Sequence, residues 1–210
     1  MRKITATLIV AWMAGMGPAG AAVLSTAFEG GNGANGEVFQ IQALTNITIN
    51  DFGVNAVNGV LAAGDITTWT LYQHDGLLSS ATAGSAIWTQ VASGGAVTSA
   101  GADAITNLNA GLNIAIAAGT TEAFLLLETP LLLGYTTGGA VGAVMAANSD
   151  FQILQGWGES TAFGTFNPRQ ANISVVYATA APEPGMLGLL GLACAAVVQA
   201  RRRPRRYGTT

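Results

Sequence analysis

The chain has 210 residues, half of them hydrophobic and only 9% charged, with a formal net charge of −3. That small value hides a segregation: seven of the eight basic residues are Arg2, Lys3, Arg201, Arg202, Arg203, Arg205 and Arg206, near the two ends. Between Ala22 and Ala181 ten acids face one cation, Arg169, a formal charge of −9 (one minus ten), and such a surface excludes nucleic acid because no basic patch exists to meet phosphates.

At the N-terminus, Arg2-Lys3 precede an apolar run from Ile4 to Met16, then Pro18 and the small residues Ala19-Gly20-Ala21. This order predicts a secretory signal peptide over 1–21, cleaved before Ala22. Export favours disulfides, yet the only cysteine is Cys194. The segment 22–180 therefore has no disulfide, no thiol nucleophile and no thiolate metal site.

That segment has the size of one domain, and no linker divides it. Its apolar residues come in short runs between glycine-rich turns, the pattern of strands. In Phe39-Gln40-Ile41-Gln42-Ala43 the apolar side chains point one way and the glutamines the other. Asn46 to Asn50 continues the pattern. Thr67 to Gln73 is rich in β-branched and aromatic residues, and Asp75-Gly76 follows as a turn. Ala86 to Val91, Leu112 to Ile116, Phe151 to Leu154 and Asn172 to Tyr177 read as further strands. Phe124-Leu125-Leu126-Leu127 reads as a strand buried on both faces. Only 102–109 hints at a short helix. Many strands with regular turns predict an all-β fold, a two-sheet β-sandwich of jelly-roll type.

Few residues in this segment offer chemistry. Gly31-Asn32-Gly33-Ala34-Asn35-Gly36 matches a dinucleotide fingerprint literally, but a strand follows where the pyrophosphate needs a helix N-terminus, so a Gly/Asn loop is expected. His74 is the only histidine, and no nucleophile elbow accompanies it. Glu122 and Glu128 are six apart; on one strand they stand roughly 20 Å apart, too far for glycoside hydrolysis, and read as the wet ends of a buried strand. Asp51, Asp65, Asp75, Asp103 and Asp150 lie near turns. Capping is their expected role, with Ca²⁺ ligation the alternative. Trp69 and Trp88 are expected in the core. Trp157 stands between Gly156 and Gly158, which suggests a loop or bulge, so it is the candidate aromatic for contact with a glycan. Arg169 is expected to pair with an internal acid or cap a carbonyl.

The tail carries the strongest pattern. Pro182-Glu183-Pro184 break the chain into an extended form. Gly185 to Ala200 is free of charge and, as a helix, spans roughly 24 Å, short of a hydrocarbon core of about 30 Å. Arg201, Arg202, Arg203, Arg205 and Arg206 can snorkel, and they predict a cytoplasmic end. Cys194 reads as a small apolar residue of that helix. The order Pro-Glu-Pro, apolar transmembrane helix, arginine cluster over 181–206 resembles the PEP-CTERM sorting signal of Gram-negative bacteria. The resemblance implies an exosortase, a membrane-embedded protease, as partner, with processing at Pro182, Glu183 and Pro184. The segments Gly30 to Phe39, Trp69 to Gly76 and Phe163 to Arg169 look like the β-sandwich bodies of PEP-CTERM proteins, which implies a fold and no catalytic residues.

The expectation is a non-enzymatic, exported protein, held for a time in the inner membrane and then placed at the cell surface or in the extracellular matrix. No resident cofactor is expected. Association with exopolysaccharide or biofilm is the leading role. A specific carbohydrate-binding module is the alternative, and a secreted glycoside hydrolase the third reading.

Overall fold

Alternating side chains give each strand two faces, and the fold follows from what covers each face. The computed structural model describes residues 20–30, 32–55, 63–130 and 133–179. In chain order the strands are β1 (Ala22–Ser25), β2 (Asn32–Ala34), β3 (Gly36–Ala43), β4 (Ile47–Asn55) and β5 (Ile66–Asp75). Then come β6 (Thr89–Thr98), β7 (Ile105–Asn107), β8 (Ile114–Ile116), β9 (Thr121–Thr129) and β10 (Leu133–Thr137). The last are β11 (Val144–Ala147), β12 (Phe151–Glu159), β13 (Thr165–Ala171) and β14 (Ile173–Thr179). One 3-10 turn, Ser85–Ile87, interrupts them.

The strands form two sheets packed as a sandwich, so the expected all-β, two-sheet architecture is what the chain adopts. The smaller sheet runs β1-β14-β4-β7, with β8 also on β4; the larger runs β2-β10-β13-β12-β3-β9-β5-β6, with β11 on β12. The first and last described strands meet in one antiparallel pair, with Ala22 opposite Tyr177.

Phe39 and Phe124 on the larger sheet meet Phe52 on the smaller, with ring centroids 5.4–5.7 Å apart. All three are fully buried, each contributing roughly 1.5–3 kcal/mol of transfer free energy. Trp69 and Trp88 are buried as expected. Trp69 lies over Gly94, where any Cβ would collide with the indole ring. At one end of the sandwich a polar latch ties loops to strands. Asn55 donates to Asn172 Oδ1 at 3.2 Å and accepts the Asp103 N–H at 2.7 Å, and Asn172 donates to the Ala27 carbonyl at 2.7 Å.

Three elements differ from expectation: the strand expected over 86–91 begins only at Thr89, after the 3-10 turn Ser85–Ile87. Residues 102–109 hold no helix: Asp103 turns with φ 58° and β7 follows, paired to β4. Segment 31–36 is not simply a loop: Asn32–Ala34 pairs with β10 before the chain enters β3. Among the described residues no helix is long and apolar enough to cross a membrane. The helix expected over 185–200 lies outside the described residues.

Candidate functional site

The residues expected to direct sorting, Pro182, Glu183, Pro184, Arg201, Arg202, Arg203, Arg205 and Arg206, lie outside the described residues. So does the expected signal peptide as far as residue 19. The sandwich itself holds the remaining candidates.

The acids are far less exposed than the sequence suggests. Glu128 is not a wet strand end: it is 1% exposed on β9, its Oε2 accepts from Thr67 at 3.5 Å, and Oε1 has no partner. Burial raises its pKa to about 8, opposed by the Thr67 hydroxyl. Glu37 on β3 lies opposite Leu126 of β9, one diagonal step from Glu128 on the inner face. Neither of its oxygens has a partner. Burial pushes its carboxyl well up, and the Arg169 charge opposes this only in part. The cavity beside Glu37 measures about 10 Å³, room for about one water and no sugar. Glu122 faces Asp75 across β9 and β5. Burial raises its carboxyl, the Gln73 amide opposes, and Asp75 adds repulsion.

The aspartates mostly serve turns. Asp51 accepts the N–H groups of Phe52, Asn109 and Ala110, and Asp150 accepts the Tyr177 hydroxyl at 2.7 Å. Among the described residues no three His, Cys, Asp or Glu side chains gather as a metal would require. His74 is half-buried at the end of β5, edge-on to Trp88 with centroids 6.2 Å apart. Arg169 caps the Pro168 carbonyl at 3.2 Å and lies over the Tyr135 ring at 4.6 Å.

Trp157 requires a correction. The flanking glycines do mark a bulge, since the β12–β3 register shifts between Gln155 and Gly158. Gly156 is obligatory there, because a Cβ would strike the Val38 carbonyl. The bulge turns the indole onto the outer face of the larger sheet, where it is 0% exposed. It packs with Val38, Leu125 and Trp88, and its Nε1 donates to the buried Glu159 at 2.7 Å. Trp157 cannot stack on a glycan from this position.

The cover is the segment 76–88, a strap laid across the outer face. Gln40 grips it like a strand partner: Oε1 accepts the Leu78 N–H at 2.7 Å and Nε2 donates to the Leu78 carbonyl at 3.0 Å. Gly84 N–H donates to the Phe163 carbonyl at 3.0 Å, and Trp88 fills the space beneath. From β12, Gln155 Oε1 accepts the N–H groups of Gly139 and Ala140 and so holds the 138–143 turn. Between strap and turn runs a groove of about 790 Å³, walled by Ser79, Ser80 and Val141 and bordered by Thr165, Phe166 and Pro168 of β13. Phe166 is 48% exposed there. A second depression, about 400 Å³, lies between β5 and β6 around His74 and Thr89.

No family model and no curated protein matches this chain.

Proposed function

We propose that this chain is an exported, non-enzymatic surface or matrix protein of a Gram-negative bacterium, sorted by an exosortase through its tail and associated with exopolysaccharide. The observation that carries the reading is the tripartite order of 181–206, Pro-Glu-Pro, apolar run and five arginines, after a body with one cation. The placement of the strands supports it. Among the described residues the strands run from Ala22, the expected mature N-terminus, to Thr179.

Two finer features belong to the reading. The apolar run crosses the inner membrane as a helix until the tail is cut, with the arginines on the cytoplasmic side. The sandwich is jelly-roll-like, which agrees with a chain that passes between sheets repeatedly, from β3 to β4 to β5 and from β13 to β14. Binding to acidic polysaccharide requires divalent cations, because the exposed charges of the body are carboxylates. Calcium enters only as such a bridge.

Replacing Glu183 by Ala tests the sorting step. The expected outcome is an unprocessed form that stays with the membrane. Unchanged processing and release would remove the exosortase from the account.

A further inference from the structure

We propose that β6 pairs with β6 of a second copy of this chain, joining two larger sheets edge to edge about a two-fold axis at Gly94. The proposal goes beyond the matrix reading and does not depend on it.

A strand at the edge of a sheet presents a row of N–H and C=O groups that another strand can bond. β6 ends the path of the larger sheet, with β5 on one side. Among the described residues no strand bonds its other side. It has 10 residues, while the other outermost strands, β1, β2, β7, β8 and β11, have only 3 or 4. Short edges are protected because they offer few groups, and long ones ordinarily carry a lysine, a proline or an inward-pointing charge. Thr89 to Thr98 contains no charged residue and no proline. Most of its residues are exposed, so a partner can reach the edge.

Charge and sequence choose the partner. The body is rich in acids, so two copies repel wherever their carboxylates meet. Along β6 that repulsion has no source, and nothing there holds a basic partner either. The sequence then points to β6 itself. Residues 91–97 read Val-Ala-Ser-Gly-Gly-Ala-Val, nearly the same in both directions. Antiparallel pairing about Gly94 sets Val91 opposite Val97, Ala92 opposite Ala96 and Ser93 opposite Gly95. A two-fold interface needs this self-matching, because every contact in it occurs twice.

The centre of the strand suits a close approach. Ala92, Ser93 and Gly94 stand in regular register with Leu71, Thr70 and Trp69 of β5. The register shifts on both sides of this stretch, and such bulges bend an edge and blunt it. The axis lies between the two shifts, where the strand is regular. The Trp69 ring lies against Gly94 and braces the strand there. At Gly95 a Cβ would meet nothing within 4 Å, so the facing Ser93 has room beside it. One strand pair with small side chains is a small interface, so the association is weak and follows concentration.

Sedimentation of the full-length chain in density-matched detergent tests the pairing, with reductant present because Cys194 can link two copies. From micromolar to millimolar concentration the wild type should pass from one copy to two. Ser93→Lys and Ser93→Glu each bring like charges together near the axis, and each should weaken the pairing at least about tenfold. An equimolar mixture of the two sets Lys against Glu and should restore pairs that hold one copy of each. That rescue also shows that both variants are folded, and their circular dichroism should match the wild type, since Ser93 is exposed. A wild type that stays single at every concentration would overturn the proposal. So would pairing that survives either charged variant, or a mixture that forms no mixed pair.

Discussion

Glu37, Glu128 and Glu159 sit in strands where a carboxylate would have to shed its water, so each holds its proton more firmly than a free side chain. For Glu128 the folded pKa is about 8 against an ordinary 4.5, raised by burial. A raised folded pKa means that this contribution to stability is fully present below about 4.5. It is lost as pH rises towards about 8, because the unfolded chain gives up the proton first. Urea midpoints should therefore fall between these pH values. Glu128→Gln, which keeps shape and removes the titration, should flatten that fall. An unchanged slope in the variant would show that Glu128 does not hold its proton. Trp157 makes a second test at this scale. Trp157→Ala removes a fully buried indole and leaves Glu159 without its donor. The expected loss is about 3–5 kcal/mol, read from denaturant unfolding. A loss near zero would mean that the indole is not packed as described.

Among the elements, the strap governs what the outer face of the larger sheet shows to water. Its grip is the pair of hydrogen bonds between Gln40 and Leu78. Gln40→Ala should cost about 1–3 kcal/mol, since it leaves the Leu78 backbone groups unpaired. It should also wet Trp88 and Trp157, shifting tryptophan emission to the red. A variant with unshifted emission would mean that the strap is held by other contacts. The same element explains what the sequence could and could not show. Phe39-Gln40-Ile41-Gln42 is legible as a two-faced strand, and the core aromatics Phe39, Trp69 and Phe124 follow from that alternation. The glutamines read as wet because nothing near them marks a cover. The cover of Gln40 comes from a residue 38 positions away. Trp157 misleads for the same reason: its glycines announce a bulge, and the segment that buries the bulge is remote in sequence. Glu37, Glu128 and Glu159 are hidden likewise, for a charged residue type ordinarily signals the surface. Phe166, the side chain left in the open, carries no local signal at all, because exposure is settled only once the sheets have closed.

In the proposed reading, the whole molecule joins a folded body to two address segments. Strands β1 and β14 pair with each other within that body. A fragment 22–180 should fold without either, with a β-type circular dichroism spectrum and cooperative unfolding, because the core formed by the described residues lies between Ala22 and Thr179. A disordered fragment would mean that the tail is part of the fold. The body's charge is less negative than the formal −9, since Glu128 is protonated at pH 7. Its exposed charges are still almost all carboxylates, so chelation should release acidic polysaccharide and leave neutral polysaccharide bound. The central claim is that the tail delivers this body to the matrix. Immunoblotting of membrane, matrix and medium fractions, with and without the exosortase, tests it most directly. With the enzyme, a shortened form should appear in the matrix; without it, a longer form should remain in the membrane. The same form in the same fraction from both strains would contradict the account.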